Sequence, residues 1–135
     1  MLQKLQNRRG GFTLVEIMIV VAIIALLAAI AVPNFLRARK RSQASRILED
    51  LRILDSATDQ YAIETNKVSG ASAAWSDLKN YVKVNTVLYN TGQDIFGDTY
   101  NPSGFAVDSL PKIPANAWST LSDVAPAAFW SPYGP

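Results

Sequence analysis

The chain lacks two residue types that carry much of protein chemistry, since it contains no cysteine and no histidine. Without cysteine there is no disulfide framework and no thiolate, and cysteine usage gives no indication of the redox compartment. The absence of histidine as well excludes the commonest nucleophile–base pairs and most transition-metal sites. The chain also has no glycine-rich phosphate loop and no nucleophile elbow. We therefore expect no enzymatic activity and no cofactor.

Charge is unevenly distributed along the 135 residues. The chain has a net charge of +2, yet from Ser42 onward six basic residues stand against ten acidic ones. The basic residues that flank the apolar segment before Ser42 are Lys4, Arg8, Arg9, Arg37, Arg39, Lys40 and Arg41. Basic clusters beside an apolar helix are typical of a membrane surface, whereas nucleic-acid binding favours basic residues spread over a folded face. We expect the chain to contact a membrane and no nucleic acid.

The apolar segment runs from Phe12 to Val32 and carries a single charge, the carboxylate of Glu16. As a helix these residues span about 31 Å, which is enough to cross the hydrocarbon core of a bilayer. A charged side chain at membrane depth is costly, so a helix that served only as an anchor would be more stable without Glu16. We expect Glu16 to have a partner.

The residues alone leave two ordinary interpretations of this segment open. It is long enough to be the transmembrane anchor of a periplasmic binding domain. It also has the basic start, apolar core and small-residue site of a secretory signal peptide, with a cut after Ala31. The positive-inside rule does not choose an orientation, because both flanks are basic.

A third interpretation comes from resemblance to a known family. The run Gly11-Phe12-Thr13-Leu14-Val15-Glu16, the apolar residues after it and Pro33 resemble the N-terminus of type IV prepilins and type II secretion pseudopilin precursors. The resemblance implies that prepilin peptidase, a membrane aspartyl peptidase, cuts between Gly11 and Phe12, and that the new amino group of Phe12 is methylated. It further implies that the apolar helices pack into the core of a helical filament, where Glu16 faces the N-terminus of a neighbouring subunit.

Cleavage after Gly11 would create a cationic amine on Phe12 in apolar surroundings. An amine and a carboxylate are each costly to bury without a partner. This cost is offset when the two groups meet. Phe12 and Glu16 are four residues apart, so they can meet within one helix. Pairing between staggered helices would instead set the axial register of an assembly, because any other register leaves both charges unmatched.

Beyond the apolar segment the pattern predicts that the helix continues. Pro33 allows two interpretations: a helix stop, or the resemblance's long helix with a bend or weak point at this residue. From Ala44 apolar residues recur at helical spacing. They are Ala44, Ile47, Leu48, Leu51, Leu54, Ala57, Tyr61 and Ala62. We predict one helix over about residues 12–65, ended by Asn66 and Gly70.

The remaining residues predict a small domain, because ten of the thirteen aromatic residues lie between Trp75 and Tyr133. Its predicted parts are a loop at 69–74, a short helix at 77–83 capped by Ser76, strands at 83–89 and 105–109, and an irregular tail that folds back on the sheet.

Four residues of this domain have side-chain oxygens of the kind that calcium prefers, namely Asp94, Asp98, Asn101 and Asp108. Major pseudopilins, which the segment 94–100 resembles, commonly hold calcium in their C-terminal part. The spacing here matches no defined calcium loop, and turns use Asp and Asn routinely. We therefore predict turn residues and no metal site.

Together these patterns predict an α+β, pilin-like fold in which the long helix packs on a small C-terminal domain with a short antiparallel sheet. The predicted organisation is a cleaved cytoplasmic leader (1–11), a transmembrane and assembly helix (12–33), its amphipathic continuation (34–66) and an aromatic-rich domain (67–135). The site residues are Gly11 and Phe12 for processing, and Glu16 and Pro33 for assembly.

The function that the resemblance implies is that of a structural subunit of a type IV pilus or of a type II secretion pseudopilus. Its partners would be further copies of the chain, prepilin peptidase and inner-membrane assembly machinery. The precursor would cross the bacterial inner membrane once, and the assembled filament would be periplasmic or on the cell surface. The alternative function is a membrane-anchored periplasmic binding domain that forms no filament.

Overall fold

A single helix, α1, makes up more than a third of the chain and runs from Leu14 to Thr65. The computed structural model describes residues 10–134, which divide into two compact units, one ending at Leu36 and one beginning at Arg37. The elements after α1 are short: β1 (Ser72–Ala73), α2 (Trp75–Leu78), a 3₁₀ turn (Lys79–Tyr81), α3 (Val87–Thr91), β2 (Phe105–Ala106), α4 (Ala115–Leu121) and a second 3₁₀ turn (Ala127–Trp130). The α+β class is confirmed, whereas residues 1–9 of the predicted leader lie outside the described residues.

In the first unit, α1 is apolar on every side. The helix begins at Leu14, two residues later than predicted, and no residue of this unit is buried. Pro33 lies inside α1, so the helix continues through it and a helix stop at this position is wrong. The bend at Pro33 stays a prediction.

In the second unit, α1 has one buried face. Its buried residues lie three or four positions apart, with one adjacent pair, and are Ala44, Ile47, Leu51, Leu54, Ala57 and Thr58. This spacing places them on one side of a 3.6-residue helix, as the sequence predicted. The helix ends at Thr65 because Asn66 adopts a left-handed backbone conformation, with φ of 49°.

The sheet has two strands and is antiparallel, as predicted. β1 pairs antiparallel with β2, with Ser72 opposite Ala106 and Ala73 opposite Phe105. The predicted strand at 105–109 therefore exists in shortened form. Its partner is the segment 69–74, which the sequence predicted to be a loop because its residues are small.

The predicted strand at 83–89 is wrong, because residues 83–86 form no strand and helix α3 begins at Val87. Thr86 caps α3, since its hydroxyl oxygen accepts the Tyr89 N–H at 3.1 Å. Gly92 ends it in the left-handed conformation, with φ of 65°. These end signals outweigh the strand propensity of the β-branched residues between them.

The predicted helix at 77–83 is partly wrong in its bounds. The helical turn begins at Trp75 and gives way to a 3₁₀ turn at Lys79. The predicted cap, Ser76, is inside the helix. The group that stabilises its start is the carboxylate of Asp77, which accepts the Ala74 N–H at 3.1 Å.

The core of the second unit combines the buried face of α1 with large side chains from the short elements and the tail. Trp130 is fully buried, and its indole N–H donates to the carbonyl oxygen of Ala125 at 3.0 Å. Tyr133 is buried as well, and its hydroxyl donates to Asp55 of α1 at 3.1 Å. The tail is therefore packed into the same cluster as β1 and β2.

Candidate processing and assembly site

The predicted cleavage site lies immediately before the start of α1. Gly10, Gly11 and Phe12 have no regular secondary structure, and the Phe12 side chain is 85% exposed. Gly11 has no positive φ, and a Cβ added to either glycine would meet no atom of the described residues within 4 Å. The fold therefore gives no reason for glycine at position 11.

Glu16 forms a reciprocal hydrogen-bonded cap with Thr13 at the start of α1. The Thr13 backbone N–H and hydroxyl both donate to Oε2 of Glu16, at 2.7 Å and 2.9 Å. The Glu16 N–H donates to the Thr13 hydroxyl oxygen at 3.2 Å. This is a capping box, which satisfies backbone N–H groups that the first turn of a helix leaves without partners.

The capping role of Thr13 is missing from the sequence predictions, although the sequence contains its signal. A Thr followed three residues later by Glu, directly before an apolar run, is the usual pattern of a capping box. Glu16 thus has a partner within its own chain. Because the cap begins α1 at Leu14, Phe12 lies just outside the helix in the uncut chain. The contact between its amine and Glu16 stays a prediction.

Behind the cap, α1 exposes large aliphatic side chains all along the first unit. Leu14, Met18, Leu26 and Ile30 are each more than 60% exposed, and α1 contains a stretch of mean hydropathy 3.0 that is long enough to cross a membrane. Transfer of one such side chain from water into apolar surroundings is favourable by about 1.5–3 kcal/mol. The surface of this unit is therefore suited to lipid or to other apolar helices.

The four candidate calcium ligands lie in turns. Asp94 is 3% exposed, and its Oδ1 accepts the N–H groups of Phe96 and Asp98 at 2.8 Å and 2.9 Å. Its Oδ2 has no hydrogen-bond partner among the described residues, and burial raises the pKa of this carboxyl above its ordinary value. Oδ2 of Asp98 accepts a hydrogen bond from the side-chain N–H of Asn116 at 2.7 Å.

The other two candidates are also placed by backbone turns. Asn101 accepts the Lys112 N–H through Oδ1 at 3.0 Å, and Asp108 is exposed with φ of 61°. Over residues 10–134 no three acidic side chains are grouped as a metal site would require. The turn assignment holds for all four, and the absence of a metal stays a prediction.

Comparison with known proteins identifies the N-terminal segment. Residues 6–32 match the family described as the prokaryotic N-terminal methylation motif. The chain is 47% identical over 62 residues to a type IV major pilin protein, PilA, of Myxococcus xanthus. The matched region covers 46% of this chain and 28% of that protein. It is 32% identical over 62 residues to type II secretion system core protein G of Aeromonas hydrophila, covering 46% of this chain and 43% of that protein.

A third relative, a type IV wide pilus major component (PilA4) of Thermus thermophilus, is 42% identical over 68 residues, covering 50% of this chain and 52% of that protein. The chain thus spans about half or less of the length of these relatives. No solved structure matches it significantly. The predicted resemblance to prepilins and pseudopilins is confirmed, and these relatives are named as components of type IV pili and of a type II secretion system.

Proposed function

We propose that this chain is a non-enzymatic structural subunit of a type IV pilus-like filament, either a pilus or a type II secretion pseudopilus. One observation carries the proposal: an N-terminal methylation motif includes the start of a helix whose apolar side chains up to Leu36 are not buried by any of residues 10–134. Lipid covers these side chains in the precursor, and neighbouring copies of the same helix cover them in the filament.

Processing occurs between Gly11 and Phe12, by prepilin peptidase, and is followed by methylation of the Phe12 amine. The peptide bond lies in an exposed segment without regular structure, as proteolysis requires. Neither backbone conformation nor packing accounts for Gly11, so recognition by the peptidase is the simplest reason for a glycine there. Residues 1–11 are then a leader that remains in the cytoplasm.

Glu16 acts in assembly by receiving the Phe12 amine of a neighbouring subunit. Its cap with Thr13 holds the carboxylate at the N-terminal end of α1 and engages Oε2 alone. The other carboxylate oxygen has lone pairs for a further donor. Because the contact joins charges on two copies, it selects one axial register among those that the apolar surface alone would tolerate.

The remaining parts follow from this assignment. The helix anchors the subunit in the inner membrane, assembly machinery extracts it, and the filament is periplasmic or on the cell surface. Pro33 leaves the Ala29 carbonyl oxygen without its usual intrahelical donor, so α1 bends or loosens there when it packs into the filament. The second unit coats the filament.

The mature N-terminus tests this proposal. Mass spectrometry of the membrane-held protein, expressed with a prepilin peptidase, should give a chain that starts at Phe12 and carries one methyl group on its amine. A start at Val32 would indicate a secreted domain released from a signal peptide. An uncut chain would indicate a membrane-anchored domain, and either result would overturn the proposal.

A second measurement separates processing from assembly. Glu16→Ala should leave the mature N-terminus at Phe12 but abolish filaments recovered by shearing the cells. Glu49→Ala is the matched control, because Glu49 is an exposed acid on the same helix whose only ion-pair contact within the described part of the chain is Arg52 at 3.9 Å. Normal filaments from Glu16→Ala would mean that the carboxylate serves only as a helix cap.

A further inference from the structure

A cluster of basic residues follows directly after the apolar stretch of α1. It consists of Arg37, Arg39, Lys40 and Arg41, all of which belong to α1, and we call it the basic cluster. No acidic residue lies between Glu16 and Glu49 in the sequence, so the cluster has no oppositely charged neighbour within two turns along its own helix. It is a local concentration of positive charge in a chain whose net charge is only +2.

The basic cluster keeps most of its charge in the folded chain. Its one ion-pair partner within residues 10–134 is Asp123, whose Oδ2 lies 2.9 Å from Nζ of Lys40. The hydrogen bond from Lys40 and, with a smaller effect, the attraction of Arg37 lower the pKa of the Asp123 carboxyl, so this group is ionised at neutral pH. The three arginines are exposed and make no ion pair among the described residues. Most of the positive charge is therefore left for a partner outside the chain.

The basic cluster surrounds its helix and does not form a stripe on one side. Successive residues of an α-helix are about 100° apart around the axis. Arg37, Lys40 and Arg41 therefore fall within an arc of about 100°, whereas Arg39 lies about 150° from the middle of that arc. A protein with an acidic face would contact one side of the helix only. Lipid headgroups around a membrane helix contact all of its sides.

The position of the cluster in the chain agrees with the thickness of a bilayer. The stretch of α1 from Leu14 to Leu36 is about 35 Å long at 1.5 Å per residue, and the hydrocarbon core of a bilayer is about 30 Å thick. The basic cluster begins at the next residue and extends over about 6 Å of helix, which is comparable with one headgroup layer. A stretch of this length that crosses the core therefore brings the cluster to the headgroups.

We propose that the basic cluster binds the phosphate groups of anionic phospholipids in the leaflet where α1 leaves the hydrocarbon core. This inference rests on the proposed function, which keeps the leader in the cytoplasm and so assigns the cluster to the periplasmic leaflet of the inner membrane. Guanidinium groups donate paired hydrogen bonds to phosphate oxygens. Their aliphatic stems lie along apolar surface while the charge reaches the headgroups. The contact fixes the depth of α1 in the bilayer.

The charge of the cluster selects anionic lipids over zwitterionic ones. A phosphatidylcholine headgroup carries a cation that compensates its phosphate, whereas a phosphatidylglycerol headgroup has a net negative charge. Each basic residue near an anionic membrane surface raises the affinity roughly fivefold. The lipids around the cluster should therefore be enriched in the anionic species, and the enrichment should depend on salt.

Fluorescence quenching by brominated phospholipids tests this inference on the full chain, because the chain has no cysteine and an introduced thiol takes a single label. Ile30→Cys carries a bimane label about two helical turns before Arg37, at a side chain that is 62% exposed. The labelled chain is reconstituted into vesicles of phosphatidylcholine and phosphatidylglycerol in which one of the two lipids is brominated. Phosphatidylglycerol should bind near the label at least about fivefold more strongly than phosphatidylcholine. Salt at 1 M, where the Debye length is about 3 Å, should remove most of this preference.

Neutralising the three arginines should abolish the preference. In a chain with Arg37→Gln, Arg39→Gln and Arg41→Gln, the two lipids should bind within about a factor of two of each other. The matched control makes the same change in net charge at three exposed lysines outside α1, and it should keep the wild-type preference. Its substitutions are Lys67→Gln, Lys83→Gln and Lys112→Gln.

A second label position tests whether the effect belongs to one leaflet. Val20→Cys places the same bimane near the other end of the apolar stretch, at a side chain that is 51% exposed. The arginine substitutions should leave the lipid preference at this label unchanged. An equal change at both labels would contradict binding by the basic cluster.

The outcomes separate this inference from the proposed function. If neither brominated lipid quenches the label at position 30, this stretch is not in the bilayer, and the proposed membrane-held subunit is wrong. Quenching without a preference for phosphatidylglycerol in the wild type would overturn the inference alone, and the cluster would then face solvent or an acidic protein. A preference that the arginine variant retains, or that the lysine control loses, would equally overturn it.

Discussion

The two units of this chain contain successive stretches of the same helix, α1, and they differ in how far that helix is buried. Up to Leu36, α1 exposes its apolar side chains and buries none. From Arg37 onward it buries one face completely, with Ile47, Leu51 and Leu54 each at 0% exposure. The chain is therefore helical in both regions. Other residues among 10–134 bury the apolar side chains of α1 in only the second of them. The first region has no packing partner among residues 10–134, and the second is packed by other residues of the chain.

Paired leucine truncations on α1 should show this difference most strongly. Leu51→Ala removes a fully buried side chain, so we expect the free energy of unfolding of the second unit to fall by about 2–5 kcal/mol. Leu27→Ala changes a side chain that is 61% exposed and should leave that free energy unchanged. Urea unfolding of the detergent-solubilised protein, followed by near-UV circular dichroism, measures both. Equal losses for the two variants would contradict a division into an internally packed and an externally packed region.

Paired glycine substitutions should separate folding from processing. At Gly92, φ is 65° and an added Cβ would lie 3.0 Å from the Trp75 ring, so Gly92→Ala should destabilise the second unit by about 2 kcal/mol and leave cleavage intact. Gly11→Ala should do the reverse, because its Cβ meets nothing while the peptidase site is altered. Thermal unfolding and the yield of mature N-terminus are the two measurements. A Gly11→Ala chain that is processed normally would remove the argument that the peptidase requires this glycine.

A partly buried hydrogen bond between α1 and the small domain should contribute less. The Tyr100 hydroxyl donates to Asp50 of α1 at 3.1 Å, and Tyr100 is 1% exposed. We expect Tyr100→Phe to lower the free energy of unfolding by about 1 kcal/mol, since the Asp50 carboxylate loses a donor in a half-buried position. The same urea titration measures this, with Tyr89→Phe as the control on a half-buried ring whose hydroxyl makes no hydrogen bond within residues 10–134.

A pH effect should be confined to the second unit. Burial raises the pKa of Asp94 in the folded state, so this group favours folding at low pH, and its contribution is lost as pH rises through the raised pKa. Asp94→Asn keeps the Oδ1 acceptor but no longer titrates. Its free energy of unfolding should therefore vary less between about pH 4 and pH 7 than that of the wild type. A residual dependence from Asp50, whose pKa burial also raises, should persist in the variant.

The smallest effect should come from the ion pair at the start of the second unit. Lys40 and Asp123 are both partly exposed, at 37% and 53% of their side-chain surface, so solvent screens their attraction. Lys40→Ala should change stability only at low ionic strength, and added salt should abolish the difference from the wild type. A loss that salt does not reduce would indicate packing by the lysine stem rather than charge.

The features that were predicted correctly from the sequence are those that apolar periodicity and composition determine. The helix from about residue 12 to 65 was predictable because its apolar pattern changes from continuous to amphipathic at Ala44 without a break in helical spacing. The end at Asn66 and the burial of Ile47 and Leu51 followed from the same pattern. The N-terminal methylation motif over residues 6–32 was predictable as a short run of residues, with no need of tertiary structure.

What the sequence did not predict depends on contacts between distant residues or on short capping signals. The segment 83–89 forms no strand because the caps at Thr86 and Gly92 stabilise helix α3. Strand propensity alone takes no account of such caps. β1 was missed because Ser72 and Ala73 have no strand character, and they pair only because β2 lies beside them. The bonds from Tyr100 and Tyr133 to α1 join residues 50 and 78 positions apart, and no local pattern indicates them.

The hydrogen bonds between Thr13 and Glu16 have a consequence for the order of events at the N-terminus. The proposed cut after Gly11 would remove none of the groups that make them, so the cut chain would keep the groups that begin α1. With the proposed cleavage, the new amine would lie one residue before a helix start that is already ordered, and little conformational entropy would remain to be lost when a neighbour approaches. The proposed proteolysis would thus change the charge of this end and keep the hydrogen bonds of its first turn, so that a single bond cleavage would convert a stored subunit into one ready for assembly.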